Sequence, residues 1–167
     1  MDYISAPWRE PYVTKALKMK SCVFCGALKK KNDREAYILL RGIYNFIILN
    51  KFPYTPGHLM IAPYEHFASF EKVEKEASDE LADLLKLSLK ILKKKYRPHG
   101  FNAGMNLGQS AGAGVTDHYH LHIIPRWMGD SNFMPLIGNT RVLIEDLKTT
   151  YDRLLPLFQK EQKILFR

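Results

Sequence analysis

Seven residues constrain this chain more than any others: His118-Tyr119-His120-Leu121-His122-Ile123-Ile124 alternates histidine with aromatic or aliphatic residues. Laid out as a strand, that alternation puts all three imidazoles on one face and Tyr119, Leu121 and Ile123 on the other. Three histidines in a sealed core would be costly, because each ring carries two polar nitrogens that need partners. The alternation therefore predicts a sheet with one packed face and one face turned to a cleft. The preceding run, Gly108 to Gly114, holds three glycines, so its backbone can approach a ligand closely and turn N–H groups toward an anion. A phosphate beside histidines is the chemistry this combination suggests.

The remaining pattern supplies the rest of that sheet. Ala36 to Leu40, a turn at Arg41-Gly42 and Tyr44 to Asn50 read as a hairpin. Pro53, Pro56 and Gly57 break the chain, and His58 to Ala62 is a third short strand. Ser78 to Tyr96 reads as the long helix, with Ser78 as its N-cap and Leu81, Leu84, Leu85, Ile91 and Leu92 on one side. Phe101 to Leu107 and His120 to Pro125 are strands four and five. Cys22 to Lys31 reads as a tight loop, and Ile144 to Gln162 as a last helix that Pro156 kinks or splits. Strand pairs, one long helix, two more strands and a terminal helix lack regular βαβ alternation. The expectation is α+β, with a mainly antiparallel five-stranded sheet.

At 167 residues one domain is expected, with residues 1–20 as an N-terminal arm and 144–167 as a C-terminal helical extension. No apolar run approaches the ~20 residues of a membrane helix, and the opening residues do not resemble a signal peptide, so no membrane partner and a cytoplasmic location are expected. The formal charge of +8 suits anionic ligands. Much of it sits in Lys29 to Lys31 and in Lys93 to Lys95 with Arg97, the latter lysines closing a helix, where cations complement the dipole. Solvated charge explains those blocks, and nucleic acid is not an expected partner. Cys22 and Cys25, the only cysteines, form C-V-F-C, a metal half-site or redox pair in a reducing compartment.

Next-neighbour histidines on one strand face stand ~6.6 Å apart at the Cα atoms. One imidazole can then attack a phosphorus while another serves the leaving group, provided the attacking ring's second nitrogen donates a hydrogen bond that fixes its tautomer. Catalysis of that kind demands no metal.

The run His118 to Ile124, followed by Pro125-Arg126, resembles the motif of the histidine-triad family. Pro56-Gly57-His58 ahead of Leu59 to Pro63 is similar to that family's upstream strand with its fourth histidine, and Asn50 stands eight residues before His58. The resemblance covers roughly Cys22 to Arg126. It implies the histidine-triad fold and a double displacement in which His120 takes a nucleotidyl group. His122 would hydrogen-bond the α-phosphate or the scissile oxygen, His58 would orient the triad, and His118 would anchor the strand. Asn50 would bind ribose, Ile48 would line the base pocket, and Asn106 would lie near the phosphates. Where relatives place Gly-Gln-Ser/Thr-Val, this chain reads Ala113-Gly114-Val115-Thr116-Asp117, so Gln109, Ser110, Gly114 and Thr116 are the candidates for phosphate contacts.

The segments from Asn106 to Gly112 and from Pro125 to Phe133 are most similar to a bacterial branch containing diadenosine tetraphosphate phosphorylases. The substrate implied is a dinucleoside polyphosphate, cleaved with phosphate as second acceptor, or with water in a hydrolase. A nucleoside phosphoramidate hydrolase and a non-catalytic nucleotide- or RNA-binding module are the alternatives. Some triad proteins hold structural zinc, and the corresponding residues here are Cys22, Cys25, His66 and His118. Buried reduced thiols and a surface His66 are the competing reading. The resemblance also implies a homodimer.

Overall fold

The computed structural model describes residues 22–130 and 145–165. The expected arm over residues 1–20, with Trp8, lies outside them, as do residue 144, Asn132, Phe133 and Gly138. Five strands, β1 (Ile38–Arg41), β2 (Asn45–Leu49), β3 (Leu59–Pro63), β4 (Gly100–Met105) and β5 (Leu121–Arg126), form one antiparallel sheet in the order β1-β2-β3-β5-β4. The α+β expectation holds. The histidine strand β5 is interior, so its backbone is paired on both sides and its side chains are held in register.

Register then sorts the side chains. Leu49 pairs with Leu59 and Leu59 with Ile123, and this row faces the larger core, built with Leu81, Leu84, Leu87, Ile91 and Leu92 of the long helix and Tyr151, Leu154 and Phe158 of the last. One residue along, Ile48 pairs with Met60, Met60 with His122, and His122 with Gly104. This row carries the smaller core, where Ile48, Met60 and Ala62 pack with Phe24, Ala27, Ala36, Ile38 and Phe46. Period-two alternation thus gives one face to the larger core and the other to the smaller core and the histidines.

Among the described residues four α-helices cover the sheet: α1 (Val23–Leu28), α2 (Asp33–Ala36), α3 (Lys75–Tyr96) and α4 (Leu147–Leu165). The loop expected from Cys22 to Lys31 is instead the helix α1, because Phe24 and Ala27 are buried against the sheet. Burying that phenyl ring is worth about 2–3 kcal/mol, enough to settle a six-residue segment too short to show a period. Helix α3 starts three residues before the expected N-cap: Glu74 occupies that position, and the Ser78 hydroxyl donates to the Lys75 carbonyl inside the first turn. It ends at Arg97 in the left-handed conformation, just before Pro98. Helix α4 runs through Pro156 without splitting. The missing N–H costs one hydrogen bond, and buried Tyr151, Leu154 and Phe158 hold the helix on both sides of it.

Candidate active site and metal-ligand cluster

His118 and His120 precede β5 yet keep its alternation, since Tyr119, Leu121 and Ile123 all enter the larger core. The expected cleft is only part of the picture: His118 and His120 are buried, while His122 is half-buried. Phe24 covers them, its ring centroid 5.0 Å from that of His118 and 4.8 Å from that of His120. Burial is tolerated because polar nitrogens find partners. His120 Nδ1 lies 3.0 Å from the His118 carbonyl oxygen, and His118 Nε2 lies 3.0 Å from that of Pro63. Carbonyls only accept, so each of these nitrogens carries the hydrogen. The lone pair of His120 is therefore on Nε2. Burial lowers the His120 pKa below 6.5, opposed by the hydrogen bond to His118, so the ring is neutral at pH 7 and keeps that lone pair.

A second tautomer follows from backbone geometry. The Tyr54 N–H donates to His58 Nδ1 at 3.1 Å, and His58 Nε2 stands 3.0 Å from His122 Nδ1. A neutral His58 that accepts at Nδ1 carries its hydrogen on Nε2 and donates to His122. A neutral His122 then carries its own hydrogen on Nε2. The rings of His120 and His122 are 4.7 Å apart, and the Tyr54 ring stacks on His58 at 5.0 Å. A lone pair and an N–H donor thus stand side by side, the arrangement required to attack a phosphorus while holding one of its oxygens.

The expected substrate residues lie on several elements, and Asn50 is the one with a contact to a histidine of the site. Asn50 reaches the His58 ring, its Nδ2 3.5 and 3.4 Å from the two ring nitrogens, while its Oδ1 accepts from the Phe52 N–H. Ile48 is buried on the histidine face within the smaller core. Asn106 Nδ2 reaches the Gly112 carbonyl at 3.4 Å, across the glycine loop. Gln109 and Ser110 occupy an exposed turn of that loop, Gly114 is half-buried, and the Thr116 hydroxyl donates to Asp117. Arg126 is committed elsewhere, donating to Asp130 and Asn102.

Cys22, Cys25, His66 and His118 are brought together although 96 residues separate the first from the last. Cys22 Sγ is 3.4 Å and Cys25 Sγ 3.8 Å from His118 Nδ1, and Cys25 Sγ is 3.3 Å from His66 Nδ1. A tetrahedral zinc ion with ordinary Zn–S and Zn–N bonds separates sulfur from nitrogen by about 3.5 Å. The four atoms, all within 4.8 Å of one another, fit such an ion after small inward movements. His118 is suited to ligation, because its Nε2–H is taken by Pro63 and its lone pair is left on Nδ1.

Three contributors escaped the sequence. The Tyr54 group that fixes His58 is a main-chain N–H, which no side-chain pattern signals. The Thr55 hydroxyl donates to the Pro125 carbonyl of β5 at 2.9 Å, in a stretch whose prolines read only as a chain break. Phe24 lies in plain view between the cysteines, but nothing in C-V-F-C says that its ring reaches His120.

Comparison with known proteins places this geometry in context. Residues 32–128 match the family model described as the HIT domain. An AP-4-A phosphorylase from Mycobacterium tuberculosis is 40% identical over 119 residues, 71% of this chain and 61% of that protein. The chain thus spans about three fifths of that relative's length. The adenosine 5'-monophosphoramidase hnt1 of Schizosaccharomyces pombe is 33% identical over 106 residues, 64% of this chain and 74% of its own. Among solved structures, a Zn-bound histidine triad family protein from Mycobacterium smegmatis superposes with a TM-score of 0.67 at 22% identity, covering 86% of this chain and 97% of that one. That last likeness is one of fold.

Proposed function

Because the chain belongs to the HIT family, we propose that it is a nucleotidyl transferase acting on dinucleoside polyphosphates, diadenosine tetraphosphate first among them, through a nucleotidyl-His120 intermediate. The observation that carries this reading is the His120 Nδ1–H held by the His118 carbonyl, which leaves Nε2 as the nucleophile. Nε2 attacks the α-phosphorus, the P–N bond forms, and the bond to the leaving polyphosphate oxygen breaks. The His118 carbonyl stabilises the positive charge that the ring acquires. The Nε2–H of His122 holds the α-phosphate or the scissile oxygen by a hydrogen bond, and His58 fixes His122 in that tautomer. Inorganic phosphate then attacks the phosphorus, the P–N bond breaks, and His120 returns to its neutral state.

In this reading Asn50 binds ribose hydroxyls, Ile48 lines the base, and Asn106 with the loop from Gln109 through Ser110 and Gly114 to Thr116 receives the phosphates. Cys22, Cys25, His66 and His118 hold structural zinc, which braces the fold and takes no part in the chemistry. The active form is a homodimer, and residence is cytoplasmic; no helix among the described residues is long and apolar enough to cross a membrane. The likeness to the Mycobacterium tuberculosis AP-4-A phosphorylase supports phosphorolysis. The likeness to the Schizosaccharomyces pombe monophosphoramidase favours a second reading, with the same nucleophile and an amine leaving group.

Incubation with diadenosine tetraphosphate, with and without phosphate, tests the proposal. ADP plus ATP formed only with phosphate supports phosphorolysis, and AMP plus ATP without it indicates water as acceptor. Absence of turnover alongside cleavage of adenosine phosphoramidate overturns the reading in favour of the second.

A further inference from the structure

We infer that Thr55 is a positioning residue for the reaction, its hydroxyl tying the His58 loop to the histidine strand so that His122 presents an N–H to substrate. The inference rests on the proposed nucleotidyl-transfer reading and adds to it a residue that touches no substrate.

The topology creates the need. Strand β3 begins at Leu59, paired with Ile123, and β5 continues past that point through Ile124, Pro125 and Arg126. On the β3 side the ladder has ended, and the Pro125 carbonyl meets a loop in place of a strand. Thr55 Oγ1 occupies the missing partner's place and donates to that carbonyl at 2.9 Å. The same residue's own carbonyl accepts the His58 N–H at 3.2 Å. Thr55 therefore joins the His58 peptide to β5 three residues beyond His122.

What the junction holds in place is a tautomer. The adjoining Tyr54 N–H lies 3.1 Å from His58 Nδ1 and forces the His58 hydrogen onto Nε2, facing His122 Nδ1 at 3.0 Å. If the loop drifts by about an ångström, the Tyr54 hydrogen bond lengthens past its useful range and His58 is released to the other tautomer. His58 Nε2 would then accept, and His122 would have to turn its hydrogen inward to meet it. The loop is also held through its main chain, through Asn50 Oδ1 on the Phe52 N–H, and through the His58 ring on His122; Thr55 adds a hydrogen bond from the loop to the main chain of β5 that does not depend on either ring's tautomer.

Replacing Thr55 by Val keeps the shape and removes the hydroxyl; replacing it by Ser restores the donor. Thr55→Val is expected to lower kcat roughly tenfold or more with little change in KM, and Thr55→Ser to recover most of the loss. Imidazole nitrogen NMR reads the tautomers without turnover. Wild type and Thr55→Ser should show His58 and His122 protonated at Nε2, and Thr55→Val a mixture. A Thr55→Val enzyme with wild-type kcat, a change confined to KM, or an unaltered tautomer pattern overturns the inference. If Thr55→Val does not fold, Thr55→Ala takes its place under the same criteria. His120→Ala separates the two levels: turnover surviving that change refutes the nucleotidyl-transfer reading, while the tautomer measurement still decides the role of Thr55.

Discussion

His118 serves two neighbours at once: its carbonyl oxygen lies 3.0 Å from His120 Nδ1, while its own Nδ1 lies 3.4 Å from Cys22 Sγ. The residue that would ligate a metal is thus the residue that fixes the tautomer of His120, the proposed nucleophile. Phe24, set between the two cysteines, packs on both rings and couples the sites a second time.

Metal removal should therefore be felt at a distance. Elemental analysis of the purified protein is expected to give one zinc per chain. Stripping it with a strong chelator should lower the melting temperature and kcat together, by loosening α1 and the hold on His118. Zinc-free protein with unchanged melting and turnover would count against the cluster as a metal site.

Without metal, stability should depend on pH through His118. Burial pushes its pKa down to about 4 from an ordinary 6.5, so the folded chain holds it neutral. As pH falls below 6.5 the unfolded chain takes up the proton while the folded one does not. Stability is therefore lost as pH falls from 6.5 toward about 4, where the folded state protonates too. Thermal melts in chelator should show the melting temperature declining over that range, and a flat profile would contradict the assignment.

Gly57 is predicted to be intolerant of a side chain. Its φ is +74°, and a Cβ would meet Leu92 Cδ2 and Tyr96 Cε2 at 3.2 Å. Gly57→Ala is expected to cost about 1–3 kcal/mol in chemical denaturation. Turnover should fall as well, because His58 is the next residue.

Glu80 tests stability apart from the site. Its carboxylate accepts the N–H groups of Ile43 at 2.6 Å, Tyr44 at 2.8 Å and Asn45 at 2.8 Å, pinning the β1–β2 turn to α3. Glu80→Ala should destabilise the fold by about 2 kcal/mol, chiefly through the buried Asn45. KM should be unchanged, and a large KM effect would mean that the turn reaches the substrate.

What the sequence made legible follows from what periodicity records. Alternation from His118 to Ile123 marked the histidine strand and the division between Leu121 and His122, because register carries period two directly into faces, while the unbroken apolar run Phe46 to Leu49 marked β2, which is buried throughout. The cluster of Cys22, Cys25, His66 and His118 was legible only through resemblance, since no local pattern joins residues so far apart. Short elements were lost: α1 offers too few residues for a helical period, and its helicity comes from burying Phe24. The start of α3 was misplaced because Ser78 satisfies a capping pattern while bonding back to Lys75. Main-chain donors such as the Tyr54 N–H are invisible in principle, as every residue but proline carries one.

The most direct test of the central claim is to mix the enzyme with α-labelled diadenosine tetraphosphate, quench in alkali within one turnover, and locate the label. The account predicts one acid-labile, alkali-stable adduct per active site, on His120, discharged to labelled ADP by added phosphate. No protein-bound label at any time, together with undiminished turnover by His120→Ala, would contradict it.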